Sequence, residues 1–419
     1  MRQRPSHNSS FELLIGALLL IFLQRGALNA QQPSIPIRQV HIVASSDSAT
    51  LAGISSVRQV PDGGVIVNDS FARRLLLFDS ALKNFTIIAD SANGAKNAYK
   101  ARSGGGALIA FSADSSLFID VESQTFLVID PKGSIVHAMA SAKTSDLLNI
   151  ANARYGQAFI DPKGRLVYGS FRKPLRAVPD TMSAAGTPVI STLPDSTPIL
   201  RMDFDRRTVD TISMIKTSIQ KIASITVGNR TASVPFMNPL PVVDDWTSLP
   251  DGTIAIIRSA DYHIDWLTPE GQWQSTPKMP FAWRAISDDA KISIIDSVRK
   301  VLSTFTPVEA FKAAPGEPQF PKLEFRPVDV GDLPSHYPPL RLGQTKADLN
   351  GNVWILPNTT NSTGAGLVYD VVNRAGKIVE RVHLPLGRRL VGFGPANVIY
   401  LYSVLPQNRA VLERAQIVR

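Results

Sequence analysis

One phrase recurs six times along the chain: an apolar run, a tight turn rich in Asp, Gly or Asn, and a second apolar run. It is clearest at Ile54–Asp69 (ISSVRQV-PDGG-VIVND), Asp244–Ser259 (DDWTSL-PDG-TIAIIRS) and Gln344–Asn358 (QTKAD-LNG-NVWILPN), with weaker copies at Gly106–Val121, Gly156–Ser170 and Arg389–Ser403. Short apolar runs bounded by such turns form β-hairpins. A single hairpin cannot bury its own apolar faces, so a repeated one must stack on its neighbours, and this constrains the fold more than any other feature of the chain.

The six turns centre on Asp62, Asp114, Asp161, Asp251, Asn350 and Ala396, at intervals of 52, 47, 90, 99 and 46 residues. A four-stranded propeller blade takes roughly 40–50 residues, so three intervals hold one blade each. The two long intervals hold insertions. Phe171–Thr197 is a Pro, Ser and Thr-rich loop, after which Pro198–Lys216 resumes a hairpin; 275–343 carries several prolines and one helical segment, Ser287–Leu302. In that segment Ile292, Ile295, Val298 and Leu302 recur at helical spacing, with Ser287 placed to cap it. Second hairpins at Leu75–Ile88, Thr125–Met139, Tyr262–Gln274 and Leu367–Leu384 follow first ones. The expected fold is all-β: a six-bladed β-propeller of four-stranded antiparallel blades, with one short helix inserted between blades 4 and 5. The last copy is one strand short, and Pro36–Ala44 is a strand without a hairpin partner. That N-terminal strand is expected to close the last blade, which removes two free sheet edges.

Residues 1–30 have the layout of a secretory signal: Arg2 and Arg4, an apolar stretch of eleven residues at Leu13–Leu23, and a Leu28-Asn29-Ala30 cleavage site. A membrane span needs about 20 apolar residues, and no segment of the mature chain reaches that length. The expectation is an exported protein, periplasmic or extracellular, cleaved after Ala30, with 31–419 as one domain and long loops at 171–197, 217–243 and 275–343. The chain has no cysteine, which excludes disulfides, thiolate metal sites and cysteine nucleophiles. Losing the leader removes three arginines and one glutamate, so the net charge falls from +9 to +7. A basic surface favours anionic partners, such as acidic polysaccharide, lipid headgroups or nucleic acid; the expected partner is a protein or an anionic small molecule or polysaccharide. There is no specific nucleic-acid motif, no phosphate-binding glycine loop and no Gly-x-Ser-x-Gly nucleophile elbow.

The phrases VPDGGVIV, LPDGTIAII and LNGNVWIL, the DPKG turns at Asp130–Gly133 and Asp161–Gly164, and the TPEG turn at Thr268–Gly271 resemble the six-bladed β-propeller superfamily. The chain is similar to its NHL-type and TolB-like repeats and to uncharacterised secreted bacterial members, over about residues 36–418. The fold hosts many functions. The gluconolactonase-like members imply a central divalent metal held by a Glu, Asn or Asp positions and a further Asp; the streptogramin-lyase-like members imply paired histidines near a metal. Here the inner-strand positions are Arg58, Phe111, Tyr155, Asp244, Asp245, Lys346, Asp348 and Phe393. Neither pattern matches, and no catalytic residue carries over.

All large insertions fall on one face of the expected disc, together with the connectors between blades. Long loops on a rigid scaffold are where binding sites sit. Arg73, Arg74, Arg172, Lys173, Arg258 and Arg388 map to that face, with Arg389 beside the last of them; guanidinium groups there would grip carboxylate or phosphate. The leading expectation is therefore a ligand- or protein-binding module without a cofactor. Two alternatives stand beside it. One is a metal-assisted propeller hydrolase or lyase, with Asp69, Asp244, Asp245 and Asp348 holding Ca²⁺ at the channel mouth. The other is a structural envelope component. The Asp261-Tyr262-His263 run with Asp265 and Trp266 is the most polar-aromatic cluster, and strand alternation puts His263 and Asp265 on one face.

Overall fold

The computed structural model describes residues 35–419 apart from 47–50, 102–104, 113, 153–155, 171–188, 228–229, 306, 310–321, 342, 359–365 and 407–408. The signal segment and Ala30, the inner-strand candidate Tyr155, and Arg172 and Lys173 thus lie outside the described residues. After β1 (Ile37–Ser45) come β2 (Ile54–Gln59), β3 (Val65–Asp69), β4 (Arg74–Phe78) and β5 (Phe85–Asp90), which form one four-stranded antiparallel sheet. A second is made by β6 (Ala107–Ala110), β7 (Ser116–Asp120), β8 (Thr125–Ile129) and β9 (Ile135–Ala140). A short helix, α1 (Leu147–Asn152), then leads into β10 (Phe159–Ile160), β11 (Leu166–Gly169), β12 (Val189–Leu193), β13 (Ser196–Asp203) and β14 (Thr208–Lys216). The third sheet runs β10-β11-β13-β14 and omits β12.

The repeated turn has a local cause. In the first copy the backbone closes between Val60 and Gly64, Gly63 sits at φ +87°, and Asp62 Oδ1 accepts the Gly64 amide at 2.9 Å. The same device recurs with Asp130 on the amides of Lys132 and Ser134, Asp161 on Lys163 and Arg165, and Asp348 on Asn350 and Asn352. The carboxylate satisfies amides that a turn would otherwise leave bare, and glycine takes the positive φ without a Cβ clash. The turn at Ala396 lacks both features. It is made instead by two successive left-handed residues, Ala396 at φ 54° and Asn397 at φ 64°, which is why its phrase is the faintest.

The chain continues with β15 (Gln220–Val227), β16 (Arg230–Pro235) and the fourth four-stranded sheet, β17 (Asp245–Ser248), β18 (Ile254–Arg258), β19 (His263–Leu267) and β20 (Trp273–Ser275). Helix α2 (Asp288–Leu302) follows, then a two-stranded pair, β21 (Val308–Glu309) and β22 (Lys322–Leu323). The remaining strands are β23 (Lys346–Ala347), β24 (Val353–Ile355), β25 (Leu367–Val372), β26 (Ile378–Leu384), β27 (Arg388–Phe393), β28 (Val398–Leu405) and β29 (Arg409–Ile417). The N-terminal strand pairs antiparallel with β29, Val40 opposite Ile417, as its lack of a local partner predicts. It also does something the sequence does not announce. Its first residues pair parallel with β26, Ile37 opposite Arg381, so β1 stitches β23–β26 and β27–β29 into one eight-stranded sheet.

Strands β3 and β7 are buried at every residue, because both faces of a sheet are packed. Val67 and Leu76 share a core with Tyr400 and Leu412, placing the first sheet against the last strands. Ile66 and Phe118 join the first sheet to the second, Leu117 and Tyr168 the second to the third, and Ile199 and Ile256 the third to the fourth. Ile257 and Val353, then Tyr369 and Ile399, continue the series through β23–β26 to β27–β29.

The spans 171–197, 217–243 and 275–343, expected as loops, hold more structure than that. β12, β15 and β16 form a separate three-stranded sheet. Ile295 of α2, with Leu323, Val328 and Leu333, packs with Ala223, Ile225, Val234 and Phe236 into a small core of their own. Helix α2 begins as expected, the Ser287 hydroxyl accepting the Ala290 amide at 3.2 Å, and buries Ile295 and Leu302, while Ile292 is exposed. Helix α1 has no counterpart in the sequence reading; Leu147 and Ile150 bury it in the core between the second and third sheets. Among the described residues no helix is long and apolar enough to cross a membrane.

Candidate functional site

The innermost strands of successive sheets touch: β27 meets β2, β2 meets β6, β6 meets β10, and β17 meets β23. Their N-terminal ends surround a cavity of about 460 Å³. Ile54–Ser56, Gly106–Ile109, Gly343–Lys346 and Arg389–Val391 line it, with Gln157 and Ala158 ahead of β10, Ile150 and Ala151 of α1, and Tyr402 of β28. This is the end of the molecule onto which the connectors between sheets open. Most walls are apolar or backbone. Two cations, Lys346 and Arg389, line the cavity, and no Asp or Glu does among the described residues. A concave site lined by one sign of charge concentrates ligands of the other sign.

Lys346 is the first residue of β23, opposite Trp354. It is partly exposed, and among the described residues its ammonium forms no hydrogen bond or ion pair. Burial by the surrounding chain holds its pKa below the usual lysine range, and the nearby Asp245 charge opposes this without cancelling it. Asp245 is fully buried; its carboxylate accepts the Thr345 amide at 3.0 Å and the Trp246 amide at 3.1 Å. Desolvation still pushes its pKa up, against those hydrogen bonds. Arg389 is exposed and, among the described residues, likewise unpaired. Its cross-strand neighbour is Tyr402. The hydroxyl of Ser56, also on the cavity wall, is buried without a partner among the described residues.

The basic residues singled out from the sequence are placed otherwise. Arg73 donates to the carbonyls of Ala101 and Tyr99 at 3.0 and 3.2 Å. Arg74 pairs with Asp69 at 2.8 Å, Arg258 bridges Asp244 and Asp265 at 2.8 and 2.7 Å, and Arg388 grips Glu413 through two bonds of 3.1 and 3.0 Å. Each guanidinium stands at or beside a strand end, where a neighbouring strand or loop delivers an acceptor. All four hold the scaffold, and none is brought to the cavity wall.

The acidic quartet is also dispersed. Asp69 accepts the Ala52 and Gly53 amides, Asp244 those of Lys216 and Ser259, and Asp348 the Trp354 indole N–H and two turn amides. Their oxygens are saturated by backbone donors and arginines, and among the described residues no group of three or more His, Asp or Glu side chains converges to hold a metal ion. Asp244 is 3% exposed. Asp244→Ala strands the amides of Lys216 and Ser259 and removes one of the two carboxylates that Arg258 bridges, and is expected to cost about 2–4 kcal/mol, since each buried donor left unsatisfied costs about 1–3 kcal/mol. A fall in the guanidinium midpoint of unfolding with unchanged slope checks this.

His263 and Asp265 do share a face. The imidazole contacts Asp261 at 2.6 Å and Asp265 at 3.2 Å, in a network that includes Arg258 and Ser275, while Tyr262 and Trp266 point into the core with Val353. Sequence reasoning counted Arg389 with Arg388 among the basic residues of the long-loop face, and put Lys346 on an inner strand without marking it as a site residue. Nothing local distinguishes Arg389 from Arg388.

No known protein-family profile matches the chain, and no curated protein sequence matches it. Among solved structures, it is similar to regucalcin, a calcium-binding protein of Agrobacterium tumefaciens, at 12% identity over 91% of this chain and 96% of that one, with a TM-score of 0.40. A gluconolactonase of Xanthomonas campestris aligns at 10% identity over 90% and 94% of the two chains, TM-score 0.38. Virginiamycin B lyase of Staphylococcus aureus aligns at 9% identity over 88% and 98%, TM-score 0.39. These are β-propeller proteins, and at such identities the similarity concerns the path of the chain alone.

Proposed function

We propose that the chain is an exported six-bladed β-propeller that binds a small organic anion at one mouth of its central channel, with Lys346 and Arg389 as the gripping residues. Six interfacial cores linking successive sheets, the last to the first, support the ring. The observation that carries the binding role is the pair of unpartnered cations in a cavity without a carboxylate among its described lining residues. Holding an amine in a desolvated site without a counter-ion costs stability. A purely structural component gains nothing from it, so an arrangement of this kind belongs to a site awaiting a partner. The anion would take the place of the missing counter-charge, with Arg389 supplying a planar two-point grip. Export would show as a mature N-terminus at Gln31.

Calorimetric titration with a series of small mono- and dicarboxylates, each beside its uncharged amide, tests the binding role. At least one carboxylate is expected to bind and its amide not to. Arg389→Gln is expected to weaken that binding about 10- to 100-fold, the loss of a charge-assisted hydrogen bond of about 1.5–3 kcal/mol. Equal affinity for acid and amide, or an unaffected Arg389→Gln variant, overturns the reading.

A further inference from the structure

The cavity contains a group that anion binding alone does not use. An anion is held equally well by a lysine of ordinary basicity, yet Lys346 stands on an inner strand among Ile54, Leu108, Ile109, Ile150 and Leu390, with its amine unpartnered among the described residues. Water and a close, well-aligned carboxylate are what keep a lysine protonated. The first is reduced here because the chain closes around the side chain, and the nearby Asp245 carboxylate, held by the amides of Trp246 and Thr345, forms no ion pair with the amine among the described residues. The amine therefore has its lone pair available over a larger share of the neutral pH range than a surface lysine. Desolvation in an apolar pocket is a recognised way of making lysine a nucleophile toward carbonyl carbon.

We infer that Lys346 is a nucleophilic amine that forms an imine with the carbonyl group of a small oxo acid held in this cavity. The inference rests on the anion-binding role proposed above and narrows its ligand class to anions that also carry an aldehyde or ketone. Arg389, at the rim, takes the carboxylate. The lone pair of Nζ attacks the carbonyl carbon, the C=O π pair moves to oxygen, and a proton passes from nitrogen to that oxygen. The resulting carbinolamine expels its hydroxyl as water with a second proton and leaves C=N. One amine and one carbonyl give one imine and one water, with no oxidant or reductant. Tyr402 lies directly across the strand pair from Arg389 and lines the same cavity, so its hydroxyl is the candidate for relaying these protons.

The test uses the full chain with glyoxylate, an anionic aldehyde, and sodium cyanoborohydride to reduce any imine, followed by peptide mass spectrometry. At pH 6.5 Lys346 is expected to be labelled at least about tenfold faster than the median of the other lysines, since each unit by which an amine's pKa is lowered raises its free fraction about tenfold below that pKa. The advantage should shrink as the pH approaches 10. Propanal, an uncharged aldehyde, should label Lys346 more slowly than glyoxylate, and Arg389→Gln should abolish that difference while leaving propanal labelling intact. Labelling of Lys346 at the rate of surface lysines, or its absence, overturns the inference. If carboxylates nevertheless bind by calorimetry, the anion-binding role survives that failure. Equal labelling of Lys346 by glyoxylate and propanal, with no carboxylate binding, overturns both.

Discussion

Lys346→Met is expected to abolish carboxylate binding and, at the same time, to stabilise the fold by about 1–2 kcal/mol. Both effects have one origin. The lysine brings to a partly buried strand position a charge with no ion-pair partner among the described residues, and replacing such a charge by an apolar side chain of similar length is commonly stabilising. Its partial exposure through the cavity keeps the gain at the lower end of that range. Asp245 does not become an orphan, because the amides of Thr345 and Trp246 still hold it. The effect carries a pH signature. The folded-state pKa of Lys346 lies below the ordinary value of 10.5. Between those two values the unfolded chain holds a proton that the folded chain has released, so wild-type stability rises with pH through that window. The variant lacks this contribution. Its advantage over wild type is largest below the folded-state pKa and narrows as the pH climbs toward 10.5. Chemical denaturation of both proteins from pH 6 to 10 measures it. A variant less stable than wild type at neutral pH would show that the amine has a partner the cavity geometry does not reveal.

Deleting Ile37–Ser45 is expected to have the largest effect on stability of any change considered. The strand supplies two ladders at once, parallel to β26 and antiparallel to β29. Beyond them Val418 donates to the Gln39 carbonyl, Ser46 donates to that of Leu412, and the Leu412 amide donates to the Ser46 hydroxyl. Its loss bares the facing edges of β26 and β29, and unpaired edges recruit other chains. We expect a loss of at least about 5 kcal/mol, a fall in Tm of at least about 6 °C for a chain of this size, and concentration-dependent aggregation by light scattering. A monomeric deletion variant with wild-type Tm would mean that the two flanking units are held by side-chain packing alone.

Much of this architecture is legible in the order of the residues. The hairpins are visible because their cause is local: an Asp that accepts amides two and four residues on, and a glycine at positive φ, both written within five residues. Helix α2 is visible for the same reason, through Ser287 and the spacing of Ile295 and Leu302. The pairing of β1 with β29 follows from a count of strands, one lacking a partner at each end of the chain. The three-stranded accessory sheet escapes this kind of reading. β12 pairs with β15 across the intervening β13 and β14, and no local pattern records a partner that far away.

The site marks the boundary between the two kinds of information most sharply. By itself the sequence determined the hairpin repeat, the exclusion of thiol chemistry, the short length of the apolar run at Leu13–Leu23 and the presence of Arg388-Arg389 at a strand start. Only the tertiary structure decided which of those two arginines is paired with Glu413. Successive residues on a strand face opposite ways, so one side chain meets Glu413 of β29 and its neighbour meets the cavity. The same holds for Lys346, an ordinary inner-strand lysine until the ends of five inner strands converge around it. Desolvation and the lack of an ion-pair partner among the described residues are properties of everything surrounding a group, and those surroundings exist only once distant strands have been brought together.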